Sequence, residues 1–357
     1  MTKEDFDALA QSIRVPSDEA AEEARHLQER LTKPKGSLGQ LETLGVQLSA
    51  IARTCPPPIP EPATICVFAG DHGVLDAGVS PWPKEVTAQM VANFCAGGAA
   101  INVLARHVGA SVVVIDVGVA TPIPGDVSAL VQRNVAKGSA NLAVEPAMTS
   151  EQVFSALSVG VEIANDAVDQ GTRLLVTGDM GIGNTTPSAA LIAALTATSP
   201  QLVTGRGTGI DDEMLKVKTL VIETALQRVA PDASPFAVLA EVGGLEIAAL
   251  AGFIVGGAAR GVPLVIDGVI SVAAALVATA LAPAVRGYLI AGHRSSEPGA
   301  TVGLEYLGLT PVLDLSLRLG EGSGGALAVP IVQASAKIMR EMATFDSAGV
   351  SEIEGSS

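Results

Sequence analysis

The stretch Thr64-Ile65-Cys66-Val67-Phe68-Ala69-Gly70-Asp71-His72-Gly73 passes from a short, mostly apolar run straight into glycine and polar residues. A buried strand that ends in a loop open to a ligand reads this way. Two further segments repeat the pattern, Thr177-Gly178-Asp179-Met180-Gly181-Ile182-Gly183-Asn184-Thr185-Thr186 and Ala291-Gly292-His293-Arg294-Ser295-Ser296-Glu297. A third is the run 311–317, which leads into Arg318-Leu319-Gly320-Glu321-Gly322-Ser323-Gly324-Gly325. Open parallel sheets gather such loops at one edge, so four of them point to one shared pocket. Apolar runs at 64–69, 111–117, 173–177, 263–266, 287–291 and 311–315 alternate with helical stretches. That alternation predicts right-handed crossover units around a parallel sheet, an α/β fold.

The chain has 357 residues, 48% of them hydrophobic and 17% charged, enough for a large buried core in one big or two modest domains. Only 3% are aromatic, which suits helices packed closely on a sheet better than an aromatic-rich sandwich. A net charge of -15 with no clustered Lys or Arg argues against nucleic acid as a partner. Cys55, Cys66 and Cys95 share no metal-binding spacing and form no obvious pair, so they read as reduced thiols of a cytoplasmic protein. The polar, acidic start lacks the apolar core of a signal peptide. The uncharged run 268–285 has the length of a membrane helix. Its Ser271, Thr279 and Pro283, and the lack of flanking basic clusters, mark it as a buried helix, so no membrane span is expected.

Residues 17–52 read as two helices broken at Lys33-Pro34-Lys35-Gly36-Ser37, and Cys55-Pro56-Pro57-Pro58-Ile59-Pro60-Glu61-Pro62 is the clearest linker. A helix is expected over 85–108, with Gly97-Gly98 set for close packing, another from Pro187 to Ala197, and a last one from Gly325 to about Thr344 before a polar tail. Among the loops, Glu321 is a lone acid on a glycine backbone that a ligand can touch, the form of a proton acceptor. A solvated turn accounts for the same residues taken alone. Gly181 to Thr186, leading to Pro187, has the form of a helix start that binds phosphate through backbone N–H groups; an ordinary capped turn is the competing account.

Taken in order, these segments and several more resemble the nicotinate-nucleotide:dimethylbenzimidazole phosphoribosyltransferase family over nearly the whole chain. The resemblance is carried by Lys33 to Gly39, Gly70-Asp71-His72-Gly73-Val74, Gly78-Val79-Ser80 with Glu85 to Val91, Gly181 to Thr186, Gly205-Arg206-Gly207-Thr208-Gly209-Ile210-Asp211-Asp212, Glu241-Val242-Gly243-Gly244, Asp267-Gly268, His293 to Glu297, and the Glu321 loop. It implies a Rossmann-like, mostly parallel six-stranded sheet flanked by helices and a smaller helical domain from both chain ends. The expected division is 1–58 and 326–357 for the small domain and 59–325 for the large one, working as a homodimer. It also implies small-molecule substrates, nicotinate mononucleotide and dimethylbenzimidazole, and chemistry without cofactor or metal.

By the same resemblance, Glu321 is the general base. Asp179, Gly181, Gly183, Asn184, Thr185, Thr186, Gly207, Thr208, Gly209, Lys218 and Glu241 would hold phosphate and ribose, and Ser80, Gln89 and Met90 the incoming base. Family members more often carry Glu where this chain has Asp179, which leaves the reach of that carboxylate open. Asp71, His72 and His293 read as loop-ordering residues, since four histidines show no ligand spacing and no serine or cysteine sits in a nucleophile elbow. Trp82 reads either as a pocket lid or as packing, with packing preferred. Two alternatives stay open: transfer to another base, such as adenine or a phenol, and a nucleotide-sensing binding protein. A phosphatase or a dinucleotide-dependent dehydrogenase is disfavoured, because no metal cluster is visible and the first strand is followed by Gly70-Asp71-His72-Gly73 rather than G-x-G-x-x-G.

Overall fold

The computed structural model describes residues 1–351. Six strands, β1 (Ala63–Gly70), β2 (Ser111–Gly118), β3 (Leu130–Gln132), β4 (Leu174–Met180), β5 (Leu264–Ile266) and β6 (Leu289–Ala291), form one sheet in the order β3-β2-β1-β4-β5-β6. Every pairing is parallel. The sequence runs of these strands are apolar on both faces because helices cover both faces. Within β1, Cys66 and Phe68 join one core, with the helices Ser150–Asp169 and Leu245–Ala259, while Ile65, Val67 and Ala69 join the other. The strand order reverses between β1 and β4, the place where a sheet of this order opens a crevice at its carboxyl edge.

Close backbone approach tightens the first core. A Cβ on Gly160 would strike the Ala249 carbonyl oxygen, and one on Gly252 the Leu157 carbonyl oxygen. Glycine is required at both points, and the two helices meet almost backbone to backbone. On the opposite side, the helix Asp18–Arg30 packs on Gln40–Ala52, which packs in turn on the C-terminal helix Ser323–Glu341. Residues 18–52 and the helix Ser323–Glu341 therefore meet in one helical layer, whereas the helix Lys3–Ser12 packs on Leu245–Ala259 in the first core.

Four expectations are corrected. The run 311–315 forms no strand; Leu313 makes a single bridge to His293, and Leu315 lies exposed. The sixth strand is instead β3, only three residues at the sheet edge, too short to stand out from its surroundings. The apolar segment 85–108 has the length and composition of a membrane span. It is two helices, Glu85–Cys95 and Ala100–Val108, because Gly97 turns the backbone at a φ of +77°. An additional helix, Lys3–Ser12, precedes those read from the sequence. The uncharged run 268–285 is the buried helix Val269–Leu281 and the turn after it. Part of the expected polar tail, residues 352–357, lies outside the described residues.

Candidate active site

The loops after β1, β4, β5 and β6 and the Glu321 loop meet at the carboxyl edge of the sheet around a cavity of about 350 Å³. Glu321 lines it and is 5% exposed. Three successive residues, Gly320, Glu321 and Gly322, hold φ values of +82°, +64° and +90°. For the glutamate this left-handed state costs on the order of 1 kcal/mol or more, so bonds from outside must hold it. Asp267, which follows β5, supplies them by accepting the N–H groups of Gly322 at 3.2 Å, Gly324 at 2.8 Å and Gly325 at 2.9 Å. A Cβ on Gly178, in β4, would meet the Glu321 carbonyl oxygen at 2.7 Å, so the loop also lies directly on the strand end.

The Glu321 carboxylate accepts the Ile101 N–H at 3.3 Å from the start of the helix Ala100–Val108. Burial raises its pKa above the ordinary glutamate value; the Ile101 bond opposes this, and the Asp267 charge adds to it. Asp179 is pushed well up, first by burial and then by the charges of Asp267, Glu246 and Glu321, with the Asn184 bond opposing. Its Oδ2 accepts from Asn184 Nδ2 at 2.9 Å, while Oδ1 is buried without a hydrogen-bond partner among the described residues. His293 Nε2 lies 3.3 Å from Asp267 Oδ1. Burial opposes its imidazolium, but Asp267 outweighs that and the His293 pKa rises.

Apolar side chains make much of the wall: Val86, Met90, Met180, Ile182 and Ile270. Val86 and Met90 stand one helical turn apart and share the inner face. Gln89, expected in that wall, is exposed and does not line the cavity. Ser80 is half-buried beside an adjoining pocket and accepts the Trp82 N–H at 3.2 Å. Trp82 is 49% exposed at the cavity rim, which corrects the preferred packing reading and fits the alternative of a residue at the pocket mouth.

The helix Thr185–Thr196 begins at the cavity with no side-chain cap, because Asn184 spends its side chain on Asp179. Asn184 N–H donates to Gly181 O, Thr186 N–H to Gly183 O, and Pro187 has no N–H, so Thr185 N–H is the donor that this helix start can turn to an anion. Asn184 and Thr185 line this region, together with Gly181, Gly207 and Thr208. Gly183 and Lys218 line the adjoining pocket. Lys218 is 1% exposed and donates to Thr185 Oγ1 at 2.7 Å and to the Gly205 carbonyl at 3.1 Å. Burial lowers its pKa to about 8, partly offset by the Glu297 charge.

Several residues expected at the phosphate and ribose are placed elsewhere or already engaged. Thr186 is fully buried and its N–H donates to Gly183 O. The Gly207 N–H goes to Glu297 Oε1 at 2.8 Å, and the Gly209 N–H to Arg206 O. Glu241 pairs with Arg228, which also donates to Leu142 O, and it does not line the cavity. Asp71 and His72 order loops: Asp71 accepts the Ala120 N–H at 2.8 Å, and His72 Nε2 and Glu246 Oε1 are buried 2.7 Å apart. Asp267, Glu297 and Arg318 carry no individual role in the reading of the sequence. The first two follow strands directly or within one short loop, which is the signal that marks them.

The open parallel sheet sets a helix start beside a buried carboxylate, and a family model described as phosphoribosyltransferase matches residues 13–350. A nicotinate-nucleotide–dimethylbenzimidazole phosphoribosyltransferase of Salinispora tropica is 53% identical, the match covering 94% of this chain and 97% of that protein. The protein of the same name from Geobacter sulfurreducens is 52% identical, with 97% and 98% covered. The crystal structure of CobT from Thermus thermophilus superposes with a TM-score of 0.91 at 48% identity, covering 94% of this chain and 100% of that one. The chain belongs to the nicotinate-nucleotide–dimethylbenzimidazole phosphoribosyltransferase family.

Proposed function

We propose that the chain transfers phosphoribose from nicotinate mononucleotide to 5,6-dimethylbenzimidazole, giving α-ribazole 5′-phosphate and nicotinate, with inversion at the anomeric carbon. The observation that carries this reading is a carboxylate, Glu321, buried in an apolar-walled cavity that also holds an uncapped helix start. The bond between the anomeric carbon and the pyridinium nitrogen breaks, and its electron pair stays on nicotinate. The leaving nitrogen is already cationic, so it needs neither a proton nor a metal. One benzimidazole nitrogen supplies the pair for the new bond, and the N–H proton of the other passes to Glu321. A base acting as positive charge grows on the acceptor stabilises the transition state selectively.

Glu321 is the catalytic residue in this account. Thr185, Asn184, Gly183 and Lys218 receive the phosphate, Asp179 faces the ribose, and Met90 with Val86 carries the aromatic base. Burial favours the neutral form of Asp179, which would let it donate a hydrogen bond to a sugar oxygen. The phosphate-binding, ribose and base-binding parts expected of Gly207, Thr208, Gly209, Ser80 and Gln89 are secondary here, and Glu241 has none. We place the protein in the cytoplasm as a homodimer, with 1–58 and 326–357 as a small domain beside 59–325; the packing of Asp18–Arg30 and Gln40–Ala52 with Ser323–Glu341 supports this division, and that of Lys3–Ser12 on Leu245–Ala259 does not.

Incubation with nicotinate mononucleotide and dimethylbenzimidazole, followed by chromatography, should yield α-ribazole phosphate and nicotinate in equal amounts. No product with this base but product with adenine or a phenol would redirect the acceptor assignment. Binding with no product from any base would make the protein a sensor.

A further inference from the structure

Gly207 is gripped from two sides by side chains of two other loops. Its N–H donates to Glu297 Oε1 at 2.8 Å, and its carbonyl accepts from Arg318 Nη1 at 2.9 Å. Glu297 comes from the loop after β6 and is 6% exposed. A Cβ on Gly205 would strike the Glu297 carboxylate, so that glycine too is pressed against it. On its other side the same 205–209 loop hangs from Lys218, which binds Gly205 O and Thr185 Oγ1. One short loop thus touches both the wall assigned to the donor phosphate and, through Arg318, the segment that carries Glu321.

That segment is poorly determined by its own backbone preferences. Gly320 to Gly322 all have positive φ, and glycine visits many other states at little cost. Asp267 anchors the segment on its C-terminal side. On the N-terminal side, the bond that leads out of it into the ligand-binding loop is Arg318 to Gly207.

We propose that Arg318 and Glu297 are positioning residues that couple the two halves of the site. A phosphate seated against Thr185 and Lys218 settles the 205–209 loop, and the Arg318–Gly207 bond passes that setting to Glu321. The acceptor base then meets an aligned carboxylate once the donor is in place. This rests on the readings of Glu321 and of the phosphate wall given above.

The test is a binding linkage measured by calorimetry: dimethylbenzimidazole is titrated into the full chain with and without saturating ribose 5-phosphate. Coupled sites change each other's affinity by a common factor, and about fivefold or more is expected in the unaltered protein. Arg318→Met keeps the aliphatic stem but not the guanidinium, and should bring the factor to about one. Glu297→Ala should do the same by an independent route, while Glu297→Gln, whose amide oxygen still accepts the Gly207 N–H, should keep the coupling. Each factor is a ratio within one protein, so a general loss of stability does not imitate the effect. Unaltered protein that takes up no ribose 5-phosphate or shows no coupling overturns the proposal, as does Arg318→Met with the full factor. Glu321→Gln separates the two readings. If it turns over normally the base assignment is wrong whatever Arg318 does; if it is slow while Arg318→Met stays coupled, only the linkage fails.

Discussion

Asp267 Oδ1 accepts the Gly324 N–H at 2.8 Å, and through this bond the end of β5 fixes the start of the helix that follows Glu321. The same carboxylate also holds Gly322 and Gly325, so it fills the N-terminal donors of that helix in place of a cap. Asp267→Asn puts an amide N–H among these donors. Leaving one buried donor unmatched costs about 1–3 kcal/mol, and the variant should melt lower and turn over at least about tenfold more slowly. Unchanged turnover in the folded variant would show that Glu321 does not depend on this anchor.

For Glu321→Gln, we expect turnover to fall by about 100-fold to 10,000-fold, the range typical of a lost general base. The pH profile gives a second check. Burial raises the Glu321 pKa, so the carboxylate loses its charge at a higher pH than an ordinary glutamate. In the unaltered protein, turnover should rise with pH through that raised value and then level. The variant should lack this limb; an identical limb in both would assign it to another group.

Lys218, with its pKa lowered to about 8, gives donor binding an alkaline dependence. The ammonium form attracts phosphate, so affinity for nicotinate mononucleotide should be full below about pH 8 and decline as the free-enzyme lysine loses its proton above it. Lys218→Met should bind the donor weakly at every pH and without that decline. The Michaelis constant for the mononucleotide, followed across pH in both proteins, decides this.

Gly160→Ala tests the helix contact beneath the sheet. Its new methyl would enter the space of the Ala249 carbonyl, and overpacking of this kind costs about 1–3 kcal/mol. Denaturant unfolding should show the loss. A midpoint equal to that of the unaltered protein would mean that the two helices yield readily.

Glu241→Gln should leave the Michaelis constant for nicotinate mononucleotide unchanged, because the Glu241 carboxylate faces Arg228 and not the cavity. A change of about tenfold, roughly 1.4 kcal/mol, would return this residue to the ribose.

What the sequence discloses divides by distance along the chain. β1 is legible because burial on both faces leaves an unbroken apolar run, and Glu321 stands out as one acid among glycines. In the helix Glu85–Cys95, Val86 and Met90 line the cavity and Gln89 is exposed, a division that helical period does not give, because Gln89, three residues from Val86, is also its neighbour on the helix surface. The Asp267 bonds join residues more than fifty positions apart, and Glu297 meets Gly207 from ninety positions away. No local pattern encodes such pairings. Glu241 escapes a reading of the sequence for the same reason, since only the fold brings Arg228 onto it and turns both from the pocket. The run 311–315 has the composition of a strand, yet it makes only a single bridge to His293 and joins no ladder.

The helix Ser323–Glu341 lies between the N-terminal helix Gln40–Ala52 and strands β4 and β5. During synthesis the helix Gln40–Ala52 must therefore wait, with an apolar face uncovered, until residues 323–341 have emerged. Glu321 sits immediately before that segment. Covering that face and installing the proposed proton acceptor are one event, and a chain stalled before residue 321 lacks both.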